Sequence, residues 1–143
     1  MDPLSPFAST VTLLGSVIAV TRGICSLIKS IKNAPEDLTV ISGEVQDLRG
    51  ILASTESAIK CTSGFEEDDQ LLNVLPTVLR RMEDKLRELE QLILGFCDSP
   101  QNKSKRFKNL DWALRGKDKA KRIRDDITSL KWPISTCLGS LSL

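Results

Sequence analysis

Residues 3–21 read PLSPFASTVTLLGSVIAVT, a run of nineteen residues that carries no charge between Asp2 and Arg22. At helical spacing, its apolar residues form two neighbouring stripes that continue to about Ile31. Small Ser, Thr and Gly residues occupy the remaining face. A helix that is apolar around most of its circumference is buried either in a protein core or in a membrane. The chain is therefore organised around one helix that has two available environments.

The segments that follow repeat apolar residues at alternating spacings of three and four, which predicts amphipathic helices. We expect helices at about 3–32, 36–60, 69–97 and 105–141. Pro76 and Pro133 fall within the last two patterns, and kinks are expected there because proline removes a backbone donor. Four long helices joined by short loops predict an all-α, up-and-down bundle that forms a single domain over residues 1–143.

Apolar stripes define the predicted buried face of each later helix. The second helix has its stripe at Leu38, Ile41, Val45, Leu48, Leu52, Thr55 and Ile59. The third helix has its stripe at Leu71, Leu75, Val78, Met82, Leu86, Leu89, Ile93 and Phe96. The last third begins with a short stripe of Phe107, Leu110 and Leu114, which Gly116 interrupts. The main stripe of the last helix follows at Ala120, Ile123, Ile127, Leu130, Ile134, Cys137 and Leu141.

Charge is distributed unevenly, although the net charge is only +1. Residues 34–100 carry fourteen acidic and six basic side chains, whereas residues 101–143 carry four acidic and eleven basic ones. An acidic middle and a basic last third predict an attractive pairing within the molecule, or a basic surface for an anionic partner.

The residue types needed for most site chemistry are missing from the sequence. It contains no His, no Gly-rich phosphate loop and no CxxC pair, so we expect neither a metal site nor a cofactor. The acidic residues lie in helical charge patterns with basic neighbours, which favours a solvated face over a catalytic carboxylate pair. We therefore expect a protein that is not an enzyme. Cys25, Cys97 and Cys137 lie on or beside apolar stripes, which predicts buried free thiols and a cytoplasmic location.

The first helix has two interpretations. In the simpler one it is the central helix of the bundle and is buried for stability alone. In the other it is stored in the bundle and released into a bilayer. The side chains expected to enter the bilayer are Leu4, Phe7, Val11, Leu14, Val17 and Ile18.

The basic segment that precedes the last helix is the second candidate site. Lys103, Lys105, Arg106 and Lys108 could bind anionic lipid headgroups. The simpler interpretation is a solvated face opposite the acidic helices. Nucleic-acid binding is a third, less favoured interpretation, because acidic residues interrupt the basic segment and few aromatic side chains are present for base stacking.

Three motifs resemble the N-terminal helical domain of fungal STAND and NACHT-type receptors, which belongs with the HeLo and HeLo-like modules. The first is the opening MDPLS (residues 1–5) followed by an apolar run. The second is KNAPEDL (residues 32–38), which leads into EVQDLRGIL (residues 44–52). The third is FKNLDWALRGKDK (residues 107–119). The resemblance covers nearly the whole chain.

The resemblance implies a helical bundle that acts as an effector in programmed cell death or innate immunity. Relatives are similar in architecture to the mixed-lineage kinase-like executioners of necroptosis, whose N-terminal helix is thought to insert into membranes after oligomerisation. The implied function is membrane permeabilisation by a homo-oligomer that moves from the cytoplasm to anionic lipids. The implied activator is a STAND receptor or an amyloid-type signal. The alternative is a non-lytic protein-interaction scaffold of such a receptor.

Overall fold

The computed structural model describes residues 6–61, 70–97 and 106–141, and it describes side chains for 9–61, 73–97 and 106–139. Most of these residues are helical. The elements are α1 (Pro6–Lys29), α2 (Glu36–Cys61), α3 (Gln70–Gly95), α4 (Asn109–Asp111), a π-helical turn (Trp112–Gly116) and α5 (Lys117–Leu141). The last three follow one another without a break. The predicted all-α bundle of four main helices is confirmed.

Helix ends follow the local chemistry of the chain. The last turn of α1 tightens, because the Ser30 N–H donates to the carbonyls of Ser26 and Leu27 at 3.1 Å. The α2 helix begins immediately after Pro35, whose carbonyl accepts the Leu38 N–H at 3.0 Å. Acidic Glu36 and Asp37 occupy the first turn of α2, where the helix dipole favours negative charge.

Two prolines lie inside long helices. The α3 helix begins at Gln70, upstream of Pro76, so this proline does not mark the start of the helix. The α5 helix likewise continues on both sides of Pro133. The kinks expected at these prolines stay predictions.

The four long helices pack as a square in which α1 contacts α2 and α3, and α5 contacts the same two helices. Side-chain pairs give their directions. Asp37 and Glu44 of α2 meet Lys117 and Arg124 in the same order, so α2 and α5 are parallel. Ser16 and Gly23 of α1 likewise approach Glu83 and Glu90 of α3 in the same order. Gly15 and Cys25 of α1 approach Glu56 and Ser42 of α2 in the opposite order, so α1 and α2 are antiparallel. Successive long helices therefore alternate in direction.

The position of α1 corrects the expectation of a central helix. It occupies one corner of the square, diagonal to α5, and is not surrounded by the other three. Its exposed stripe consists of Thr12, Gly15, Ala19, Arg22, Ser26 and Lys29. Small and basic side chains along this stripe can face water without exposing a large apolar surface, so the bundle does not need to cover it.

The start of the last helix also differs from the prediction. Gly116 does not interrupt the helix but ends the π-helical turn, and it packs directly on the Trp112 ring. A Cβ atom at Gly116 would lie 2.6 Å from Trp112 Cε3 and 2.8 Å from Phe96 Cε2, so no larger residue fits. Trp112, Gly116 and Ala120 form the buried face, whereas Leu110 and Leu114 are each 74% exposed. The predicted stripe of Phe107, Leu110 and Leu114 is therefore wrong at both leucines.

Candidate functional site

The side chains that were predicted to enter a bilayer and that the structure describes lie on the core-facing side of α1. Leu14 and Val17 are fully buried, Ile18 is 7% exposed and Val11 is half-buried. Leu4 lies outside the described residues, and Phe7 is described for its backbone only. The one polar residue within the stripe, Thr21, is buried and donates its hydroxyl to the Ile18 carbonyl at 2.6 Å. Membrane insertion through these side chains therefore requires α1 to leave the bundle.

Length and composition make α1 a candidate membrane span. The segment Ser9–Lys29 has 21 residues and a mean hydropathy of 1.9, and half of the window that defines it is buried. Twenty such residues are enough to cross the hydrocarbon core of a bilayer, which is about 30 Å thick. The core helix of a soluble protein passes the same test, so the other contacts of α1 must be considered.

Carboxylates of α2 and α3 approach the small residues of α1. The Ser16 hydroxyl donates a hydrogen bond to Glu83 Oε2. A Cβ atom at Gly23 would lie 3.1 Å from Glu90 Oε2, and one at Gly15 would lie 4.0 Å from Glu56 Oε2. By contrast, the interhelical ion pairs that the structure shows join α5 to α2 or α3. Within the described chain, α1 is therefore held mainly by apolar packing.

Charged groups connect the last helix to the acidic helices. Arg124 Nε donates to Glu44 Oε1 at 2.7 Å, and Lys117 Nζ lies 3.6 Å from Asp37 Oδ2. The internal pairing expected from the charge distribution is present at these two positions. Of the predicted lipid-binding residues, Arg106 and Lys108 are exposed, whereas Lys103 and Lys105 lie outside the described residues.

A third pair runs in the opposite sense, from a lysine of α3 to an acid of α5. Lys85 Nζ lies 3.1 Å from Asp126 Oδ2. The hydrogen bond to Asp126, followed by the charge of Glu88, raises the pKa of Lys85 above its ordinary value of 10.5. Its small contribution to stability is complete below that ordinary value and is lost as the pH rises through the raised pKa. Lys85 is therefore charged at neutral pH, and this pair at the surface of the bundle can form there.

Two of the motifs that carry the family resemblance meet at one end of the bundle. The side chain of Asn33 forms two hydrogen bonds with the backbone of Phe107, donating to its carbonyl at 3.1 Å and accepting its N–H at 2.7 Å. Asn109 Nδ2 donates to the Asn33 carbonyl at 3.1 Å, and Trp112 Nε1 donates to Asp37 Oδ2 at 3.4 Å. We call these five residues the polar junction.

An aromatic cluster lies beside the polar junction. The Trp112 ring makes edge-on contacts with Phe96 and Phe107, with ring centroids 5.5 and 5.2 Å away. An isolated antiparallel bridge joins Cys97 to Phe107. These contacts fix the start of the last helix to the end of α3, and the polar junction fixes it to the turn that follows α1.

We expect Asn33→Ala to lower the free energy of unfolding by about 1–3 kcal/mol. The substitution leaves the N–H of buried Phe107 without its partner and removes one of the two donors to the Phe107 carbonyl, which keeps the Asn109 N–H at 3.0 Å. Chemical denaturation measures this change. Gln46→Ala is the control, since Gln46 is exposed and its side chain reaches only Ser42 Oγ at 3.5 Å. An Asn33→Ala protein as stable as the control would contradict the assigned role of the polar junction.

The cysteines of the described chain are free thiols and do not belong to a metal-binding cluster. Cys25, Cys97 and Cys137 are buried free thiols, as predicted, and Cys61 is exposed. In residues 6–61, 70–97 and 106–141, no group of three or more acidic or cysteine side chains could hold a metal ion.

Sequence reasoning missed the exposed leucines of the last helix. Leu110 and Leu114 were assigned to a buried stripe because they are apolar and four residues apart. The spacing Trp112, Gly116, Ala120 was the signal for the true buried face, since each step is also four residues. A large ring packed on a glycine explains why this second set prevails.

The family model described as pigment biosynthesis cluster protein PigL N-terminal matches residues 1–143. No curated protein and no solved structure shows significant similarity to the chain. Because the family model covers residues 1–143, the chain belongs to the family of pigment biosynthesis cluster protein PigL N-terminal domains.

Proposed function

We propose that this domain is a cell-death or signalling effector that oligomerises and permeabilises membranes through α1. The observation that carries the proposal is that a helix long and apolar enough to cross a bilayer occupies a corner of the bundle, with only half of its spanning window buried. The resemblance to HeLo-like domains supports the same function. In this account the domain is cytoplasmic at rest and moves to the membrane after a STAND receptor or an amyloid-type signal activates it.

The contacts of α1 are compatible with release. Its packing is mostly apolar, and lipid can replace apolar packing because both environments exclude water. The polar contacts that must break include the hydrogen bond from Ser16 to Glu83 and the weak one from the Cys25 thiol to the Ser42 carbonyl. The two charged residues of α1 are Arg22 and Lys29. Lys29 ends the candidate span and can remain near the headgroups, whereas Arg22 lies about 10 Å inside it and reaches them by extending its long side chain.

Release of α1 also gives a reason to oligomerise. The apolar faces of α2 and α3 that pack against α1 would become exposed when the helix leaves. Large exposed apolar patches favour association between molecules. Pairing of these faces between subunits would bury them again and bring several copies of α1 together in the bilayer.

The test of the proposal is leakage of a trapped dye from vesicles that contain anionic lipid. We expect leakage that rises steeply with protein concentration, because several subunits must assemble. If no leakage occurs even when a fused oligomerisation domain forces association, the non-lytic scaffold of a receptor replaces the proposed function.

We expect reversal of Lys103, Lys105, Arg106 and Lys108 to Glu to weaken vesicle binding while helicity is retained. Each Lys or Arg engaged with anionic lipid contributes about 1 kcal/mol, and the effect falls as salt concentration rises. Vesicle sedimentation at several salt concentrations measures the change. Reversal of Arg80 and Arg81, which are exposed on α3, is the control.

Equal vesicle binding by this variant and the wild type would assign the basic segment to a solvated face. Tight, salt-sensitive binding to DNA without binding to vesicles would instead favour a nucleic-acid-binding bundle.

A further inference from the structure

Leu110 and Leu114 form the most exposed pair of large apolar side chains in the described chain, at 74% each. They lie four residues apart at the start of the last helix, and Ala113 between them is also exposed. The proposed insertion of α1 does not use them, and the bundle does not cover them.

The bundle holds this pair of leucines rigidly outward. Trp112 is only 2% exposed and is fixed between Phe96 and Phe107. Because Trp112 and Gly116 occupy the inner face of the π-helical turn, Leu110 and Leu114 are left on the outer face. The leucines therefore stay exposed without any conformational change, which distinguishes them from the buried side chains of α1.

The segment that carries the leucines is rich in basic residues. Residues 106–124 carry eight Lys and Arg residues against two Asp residues. Lys117 and Arg124 form ion pairs with acidic residues of α2. Five further basic side chains of this segment are exposed: Arg106, Arg115, Lys119, Lys121 and Arg122. The two acidic residues of the segment, Asp111 and Asp118, are exposed three and four positions from Leu114. A helical segment that combines exposed apolar side chains with an excess of cations is typical of those that lie in the interface of an anionic bilayer.

We propose that Leu110 and Leu114, with the exposed Lys and Arg residues of the same segment, form a docking surface for anionic bilayers that works before α1 is released. A bilayer fits the observations better than a folded protein partner, because two leucines are a small apolar centre for a protein interface of standard size. Binding to a bilayer requires only a few inserted side chains, since each engaged cation adds about fivefold in affinity. The inference rests on the proposed function in that the domain must meet a membrane.

The test compares the wild type with the double variant Leu110→Ser, Leu114→Ser. The quantity measured is binding to vesicles of phosphatidylserine and phosphatidylcholine in equal parts. We expect the partition coefficient to fall at least about tenfold, with an unchanged helical spectrum, because both leucines are exposed at rest. Val74→Ser is the matched control, since Val74 is 52% exposed at the start of α3, and it should bind as the wild type does.

A second readout uses fluorescence. In a Trp132→Phe background, Leu114→Trp should shift its emission to shorter wavelength on anionic vesicles, because the remaining Trp112 is already buried. The proposed docking surface would be overturned if the double serine variant bound vesicles as well as the wild type does. It would also be overturned if the two substitutions changed only self-association of the protein.

Leakage assays on the same samples separate this inference from the proposed function. If the double variant binds and permeabilises vesicles as well as the wild type does, the docking surface is contradicted and the proposed permeabilisation is not. If the wild type binds vesicles through the leucines but never causes leakage, the docking surface is supported and the proposed permeabilisation is contradicted.

Discussion

Ala19→Lys is expected to abolish vesicle leakage while the protein remains folded. Ala19 lies at the midpoint of the candidate span Ser9–Lys29, on the exposed stripe of α1. In the resting bundle the new lysine faces water, so the free energy of unfolding should change by no more than about 0.5 kcal/mol. At the centre of a bilayer, the same charge costs at least about 2.5–3.5 kcal/mol per helix. That cost corresponds to a roughly 60- to 300-fold loss of insertion for each subunit.

The matched control is Ala53→Lys, which introduces the same side chain at an exposed alanine in the middle of α2. Leakage by this variant should equal that of the wild type, because α2 stays outside the bilayer. A thermal melt and a leakage assay on each variant complete the comparison. A folded Ala19→Lys protein that permeabilises vesicles as fast as Ala53→Lys would rule out insertion of α1.

Trp112→Ala is expected to lower the free energy of unfolding by about 3–5 kcal/mol, the range for removal of a buried aromatic ring. The ring is 2% exposed and is the shared contact of Phe96, Phe107 and Gly116. Its loss leaves a cavity at the start of the last helix and removes the indole hydrogen bond to Asp37.

The chain contains its own control, because its other tryptophan, Trp132, is 71% exposed. Trp132→Ala should change the free energy of unfolding by no more than about 0.5 kcal/mol. Urea titrations of the two variants should therefore differ widely in midpoint. Similar midpoints would show that the aromatic cluster does not anchor the last helix.

The amphipathic helices were the most predictable part of the fold. Every residue of the stripe predicted for α2, from Leu38 to Ile59, is buried. In α3, the described stripe residues from Leu75 to Ile93 are buried as well, and only Phe96 is partly exposed. These helices each face a core on one side and water on the other, so a single helical period determines which residues are inside.

The first and last helices were harder to predict for different physical reasons. An almost uncharged helix such as α1 gives no polar face from which to read its orientation, so its place at a corner of the bundle could not be deduced. The exposure of Leu110 and Leu114 depends on a π-helical turn and on the fit of Trp112 to Gly116. The polar junction joins residues 74 positions apart, such as Asn33 and Phe107, and no local pattern specifies such a contact.

The release of α1 is tested most directly by a fluorophore at residue 19. Ala19→Cys in a Cys61→Ser background offers one exposed thiol among the described residues, since Cys25, Cys97 and Cys137 are buried. An environment-sensitive dye on this thiol should emit weakly in buffer, where residue 19 faces water. On vesicles that leak, we expect its emission to rise and to be quenched by groups attached near the ends of the lipid chains. Leakage without any change in this emission would contradict the insertion of α1.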